Sequence, residues 1–410
     1  MGLGPSIKMT SLYHFNCPTT KVLAEDKDII FDGIIIDGVS ENCDEKIRTS
    51  KQTANLAKEH NWQGALVAID GWGNHHVDFV EVIEQLGILG IPCVGLSYIG
   101  LQGRLVCDSP YVETIIDFNK CSSGYESCVV GENNLEEIDA IKATAILKNK
   151  LKKRSIPQSV FFSQNEGKLT REYMKIKSVS FAESTQIIDD KLLISNKWSN
   201  YYPISSSIQS CKTRVILPDN HNIWVNSNLD FMPIAAKIQG EIGDGITAVL
   251  GGVTLMINGC ETSGFQPSNI GSSEGYLDQQ VVFGRTGTPS KSDIIIQLDF
   301  SFMDGQARTP EGIIDAHTIA DNFLQEIRSA IKASGYTPNS IVNYNNLQPS
   351  LGYKIGLIKI VSGLGNMYDT VLSPNEPAGV IGGYVLRNRQ NSPLFITANE
   401  CRDGIIHSCL

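Results

Sequence analysis

A chain of 410 residues can enclose roughly two or three hydrophobic cores. Its 41% hydrophobic and 19% charged residues are those of a globular protein, and a net charge of −10 argues against nucleic acid as a partner, which would favour a basic face. No run of apolar residues is long enough to span a membrane, and the N-terminal stretch has no leader-like apolar core, so the expectation is a cytoplasmic protein.

Met1-Gly2 followed by Ser6 fits a myristoylation pattern but lacks the second signal that stable anchoring requires. From residue 28 to about 153, strand and helix patterns alternate. Ile29–Ile36 reads as a buried strand ending at Asp37-Gly38, and Lys46–His60 as a helix. Ala65–Ile69 is the next strand, ending in Asp70-Gly-Trp-Gly-Asn-His-His76. Val77–Leu86 is helical, Cys93–Leu96 and Val112–Phe118 are strands, and Leu135–Leu151 is a helix. Such alternation predicts an α/β N-terminal domain with a parallel, doubly wound sheet over residues 1–154. Asp37, Asp70, Asn74, His75 and His76 fall at strand ends, where such sheets bind ligands. No GxGxxG follows the first strand, which excludes the dinucleotide fingerprint. A small-molecule or subunit crevice and ordinary loop chemistry both remain open there. Lys148, Lys150, Lys152, Lys153 and Arg154 complement a helix C-terminus, and Pro157 stops that helix.

Beyond residue 155 the chain predicts an α+β, largely antiparallel second domain over 155–410. Short strands are expected at Val160–Ser163, Lys175–Phe181, Leu192–Ser195, Thr213–Leu217, Ile223–Val225, Val281–Phe283 and Ile294–Phe300. Within them lies Gly251-Gly-Val-Thr-Leu-Met-Ile-Asn-Gly-Cys260-Glu-Thr-Ser-Gly264. Val253–Ile257 reads as a strand and Asn258-Gly259 as a tight hairpin turn. Gly271-Ser-Ser-Glu-Gly275 offers backbone N–H groups for an anion. Cys260 has two readings. It is a small buried hydrophobe, or its thiol attacks the Gly259 carbonyl to form a thioester; β-elimination and hydrolysis then cut the chain and leave a pyruvoyl group. Thr309-Pro310 caps a long helix ending at Gly335, whose apolar stripe includes His317, either a core histidine or an acid–base group facing Cys260. Leu357–Val361, Val380–Leu386 and Leu394–Ala398 complete the strands. Ten cysteines without a CxxC pair suggest neither disulfides nor a metal site.

Several stretches resemble a known family. Asp230-Phe-Met-Pro-Ile-Ala-Ala-Lys237 through Gly271-Ser-Ser-Glu-Gly275 and Arg285, with the helix 310–335, is similar to the pyruvoyl-precursor subunits of D-proline reductases. Ile176-Lys-Ser-Val-Ser-Phe-Ala-Glu183, Lys191-Leu-Leu-Ile-Ser195, Gly2-Leu-Gly-Pro-Ser6, Thr10–Phe15 and Asp70–His75 look like the wider glycine, sarcosine and betaine reductase family. The resemblance implies self-cleavage at Gly259/Cys260 and a pyruvoyl cofactor derived from Cys260. It also implies reductive cleavage of the Cα–N bond of D-proline to 5-aminovalerate in a hetero-oligomer with a selenocysteine- or cysteine-containing subunit. By proximity in sequence, Asn258, Gly259, Ser272 and Ser273 are candidates for processing and Glu274 and Arg285 for binding the substrate amino acid, while His317, from its helical stripe, is a candidate for catalysis. Two rival readings are an unprocessed scaffold or substrate-binding paralogue, and an enzyme that uses the intact Cys260 thiolate.

Overall fold

The computed structural model describes residues 14–40, 42–69, 73–100, 105–124, 129–160, 167–265, 274–307, 309–345, 348–361, 376–377 and 392–403. The protein is mixed α/β, with parallel and antiparallel sheets. The strand Ile29–Gly38 is buried along nearly its whole length, as a strand covered by helices on both faces must be. Its sheet runs, in spatial order, Leu394–Ile396, Ile29–Gly38, Leu351–Val361, Gly64–Ile69, Cys93–Ser97 and Ile115–Asp117. The last five are mutually parallel, while Leu394–Ile396 is an antiparallel edge. Helices Cys43–Glu59 and His75–Ile88 cover one face, packing Ala54, Ala57, Phe79 and Ile83 on Ile35, Val67, Ile358 and Ile360. Helices Pro18–Glu25 and Glu137–Lys153 cover the other with Leu23, Ala143 and Leu147 on Ile34, Leu66 and Leu357.

Local chemistry accounts for these helices. Asn42 accepts the Glu45 amide at the start of the first, and Asp139 accepts the Glu136 amide at the start of Glu137–Lys153. The cations near the end of that helix also form ion pairs: Lys148 with Asp26, and Lys150 and Arg154 with Glu113. The strand Leu351–Val361 departs from the expected division at residue 155. It lies between Ile29–Gly38 and Gly64–Ile69, so the chain returns to the first sheet after building the sheets of the second half. Its residues Ile355, Leu357, Ile358, Ile360 and Val361 are almost wholly buried.

The second half holds a five-stranded sheet in the order Asn200–Tyr201, Ile208–Ile216, Ile294–Phe302, Val253–Glu261, Ser227–Met232. It is mixed rather than antiparallel, because Val253–Glu261 and Ile294–Phe302 run side by side in parallel. Alternation divides the side chains of these two strands between the two faces. Leu255, Ile257, Ile296, Leu298 and Phe300 share a core with Ala316, Ala320, Phe323, Leu324 and Ile327 of the helix Pro310–Ala333. Met256 and Ile295 point the other way, into a smaller core with Phe231, Val225, Leu277 and Val130. A further sheet orders Ala235–Gln239, Gly245–Gly251, Leu169–Lys175 and Ser340–Tyr344. Gly252, at φ 79°, turns the chain out of this sheet into Val253–Glu261. The expected strand at Val281–Phe283 is reduced to a single bridge between Val281 and Val130. The region Val380–Leu386 lies outside the described residues.

Candidate active site around Cys260

The hairpin expected at Asn258-Gly259 is not formed. Asn258 pairs with Asp299 and Gly259 with Phe300 on the parallel neighbour, and Gly259 pairs with Ser227 on the antiparallel one. Ladders on both sides hold the pair extended, and this tertiary pairing overrides the local turn preference. The strand continues through Cys260 to Glu261, and the chain reverses at Glu261–Gly264, where the Gly264 amide donates to the Glu261 carbonyl at 2.8 Å. Asp304 anchors this turn by accepting from the Thr262 hydroxyl at 2.7 Å and the Ser263 amide at 2.9 Å. Position 259 has no room for a side chain. A Cβ there would lie 2.5 Å from Phe302 Cε2 and 3.0 Å from the Phe300 carbonyl oxygen.

Cys260 shares its face with Met256 and Asn258, and that face carries a chain of hydrogen bonds. Arg214 Nε donates to Gln297 Oε1 at 2.7 Å, and Gln297 Nε2 donates to Asn258 Oδ1 at 3.0 Å. Asn258 Nδ2 donates to the Asn226 carbonyl at 2.8 Å, and Asn226 Nδ2 donates to Asp299 Oδ1 at 2.8 Å. Asp299 thus ends a polar relay that begins at a guanidinium. Desolvation pushes its carboxyl above the usual range, against the opposing effects of Asn226, Arg214 and Lys212. Cys260 is partly buried beside it. Burial, then the negative fields of Asp299 and Glu274, raise its thiol above the ordinary value. A thiol in that setting is protonated at neutral pH and needs a base before it can attack.

The structure treats the other sequence candidates unequally. Glu274 does act on Cys260 through its charge. Ser272 and Ser273 lie outside the described residues. Arg285 pairs with Glu136, at the start of the helix Glu137–Lys153, and its amide donates to the Thr288 hydroxyl. His317 does not face Cys260. It is buried on the helix that packs against Leu255 and Ile257, the face of the sheet opposite Cys260. The helical stripe correctly put His317 inside, but strand parity put Cys260 on the other side. Asp299, Asn226, Gln297 and Arg214 were not singled out in the sequence. For Gln297 and Asp299 the signal was the polar phase of the alternation in Ile294–Phe300, interpretable only once the neighbouring strand is known; Arg214 and Asn226, on other segments, carried none.

At the carboxyl ends of the parallel sheet, Asp37, His75 and His76 gather as the α/β pattern predicts, joined by Lys46 and Asp78 from the covering helices. Lys46 and Asp78 form a buried ion pair, and His76 Nε2 lies 3.1 Å from the Ser97 hydroxyl. Burial pushes Asp37 up to about 7 and holds both histidines down at about 4. Asp70 lies outside the described residues. Clefts of about 590 and 380 Å³ run along the C-terminal half of the helix Pro310–Ala333 and its exit, and Cys260 lines neither. The eight described cysteines are free thiols. Among the described residues no helix is long and apolar enough to cross a membrane, and no cluster of three or more His, Cys, Asp and Glu is placed to hold a metal.

Comparison with known proteins bears out the resemblance read from the motifs. Residues 3–105 match the family described as glycine/sarcosine/betaine reductase component B subunits. The chain is 32% identical over 246 residues to the D-proline reductase proprotein PrdA of Acetoanaerobium sticklandii, an alignment covering 58% of this chain and 39% of that protein. It is 35% identical over 96 residues to the betaine reductase complex component B subunit alpha of Peptoclostridium acidaminophilum, covering 23% of this chain and 22% of that one. The chain thus spans well under half the length of either relative. No solved structure matches it.

Proposed function

We propose that this chain is the precursor subunit of a pyruvoyl-dependent amino-acid reductase in a cytoplasmic hetero-oligomer, most like D-proline reductase. The observation that carries this reading is the setting of Cys260: a partly buried thiol following a glycine, beside an oriented carboxylate, in a chain that resembles a reductase proprotein. The residues fit a pyruvoyl precursor. Phe300 and Phe302 close around Gly259 and pin the peptide that would be cut, while Cys260 supplies both the nucleophile and, after thioester formation, the sulfur that leaves. Once formed, the carbonyl would supply a covalent handle and an electron sink for the amine of a substrate such as D-proline. The sequence contains no CxxC pair, so the electrons for cleaving a Cα–N bond to give 5-aminovalerate would come from a selenol or thiol on another subunit.

A second reading has an observation in its favour. The Gly259–Cys260 peptide sits within a regular ladder, and its thiol is protonated at neutral pH, as suits an unprocessed scaffold paralogue. Intact mass decides between them. The enzyme reading expects fragments 1–259 and 260–410, with a hydrazine-reactive carbonyl at the new N-terminus. Cys260→Ala should stay whole, and Cys260→Ser should be cut slowly. Cleavage persisting in Cys260→Ala would sink the pyruvoyl assignment; an uncut wild type would leave the scaffold and the intact-thiolate enzyme, which loss of activity on iodoacetamide labelling of Cys260 tells apart.

A further inference from the structure

We propose that Asp299 accepts the Cys260 thiol proton and returns it to the Cys260 amide nitrogen in the first step of chain cleavage; this rests on the self-cleaving reading above. Cys260 pairs in register with Ser301, and Asp299 lies one pleat repeat, about 7 Å, back along that neighbouring strand on the same face. Asn226 holds one carboxylate oxygen, and the relay from Arg214 through Gln297 and Asn258 fixes Asn226 in turn. Glu274 also bears on the thiol, but Asp299 acts on it more strongly, and Asn226 orients its carboxylate. The step is an isomerisation and balances without an outside reagent. The S–H bond breaks and its proton passes to the carboxylate, directly or through one water. The sulfur then bonds to the Gly259 carbonyl carbon, the bond from that carbon to the Cys260 nitrogen breaks, and the nitrogen takes the proton back from Asp299.

Two readouts should move in opposite directions in Asp299→Asn. Cleavage of the full-length chain, followed by intact mass across a pH series, should slow on the order of a hundredfold at neutral pH. Labelling of uncut Cys260 by iodoacetamide should reach half-maximum at a lower pH than in the wild type, because a negative charge beside the thiol has gone. The charged groups facing Asp299 are Arg214 and Lys212, with Cys260 and Glu274 across the site. Asn226→Ser keeps the carboxylate but weakens its orienting bond, so Asp299 should titrate higher and the pH of half-maximal cleavage should rise. Should Asp299→Asn fail to fold, this second variant decides. A profile unmoved in Asn226→Ser, or wild-type rates in Asp299→Asn, would overturn the role of Asp299 while leaving self-cleavage standing. A wild type that stays whole at every pH would remove both.

Discussion

Position 259 is glycine because two phenylalanines occupy the space a side chain would need. Gly259→Ala should therefore lower stability by about 1–3 kcal/mol, the range for overpacking a filled site. Urea denaturation measures it, and an unchanged midpoint would mean that Phe302 swings clear. Asp37 makes a second, pH-dependent case. Its Oδ2 accepts from the Thr53 hydroxyl at 2.9 Å, while Oδ1 is buried without a partner among the described residues. Desolvation, with a smaller push from Asp78, raises it to about 7 against the bonds from Thr53, Thr49 and Gly38. A carboxyl that titrates higher folded than unfolded binds more protons in the native state between those two values. Stability is therefore lost as pH rises from about 4 to about 7. Asp37→Asn keeps the acceptor for Thr53 and removes the buried charge. Relative to wild type it should gain on the order of 2–4 kcal/mol above pH 7 and nothing below pH 4. Equal melting curves for the two proteins at pH 8 would show that Asp37 is not a charge-burial liability.

Elements were legible where their signals are local. Ile29–Ile36, Ala65–Ile69 and Cys93–Leu96 appear within a residue or two of their observed bounds, because a short apolar run between turn residues needs no distant partner to be recognised. The helix Pro310–Ala333 was legible from its cap. Thr309 Oγ1 accepts the Gly312 amide at 3.0 Å, so Thr309→Ala should cost about 1 kcal/mol, seen as a lower denaturation midpoint with an unchanged slope. A changed slope would mean that more than the first turn had frayed. What stayed hidden was pairing. Asn258-Gly259 has the composition of a turn, yet two ladders stretch it, and a ladder is a property of three strands rather than of a dipeptide. The same gap hid Asp299. Its place opposite the apolar phase of Ile294–Phe302 could be read, but which strand lay beside it could not. His317 was lost to the same ambiguity of face.

Across the whole molecule, the consequential departure is the return of Leu351–Val361 to the first sheet. Read alone, that run is another buried strand, and nothing in its residues names the gap between Ile29–Gly38 and Gly64–Ile69 that it fills. Its position bears on what cleavage does. A cut between Gly259 and Cys260 leaves both flanking strands, Ile29–Gly38 and Gly64–Ile69, on the first fragment and places Leu351–Val361, the strand between them, on the second. Ile355, Leu357, Ile358, Ile360 and Val361 are all almost fully buried there. At about 1.5–3 kcal/mol for each such side chain, their burial contributes on the order of 10 kcal/mol before backbone hydrogen bonds are counted. The cut strand itself is tied across the break as well, since Val253–Gly259 on the first fragment pairs with Ile294–Phe300 on the second. The fragments should therefore co-elute as one species in native gel filtration and separate only in denaturant. The same argument predicts that residues 1–154 expressed alone will not fold, because the sheet would have to close over a missing central strand. Fragments that part in native buffer, or a cooperatively folded 1–154, would show that Leu351–Val361 is an accessory strand. The first sheet would then be complete without it.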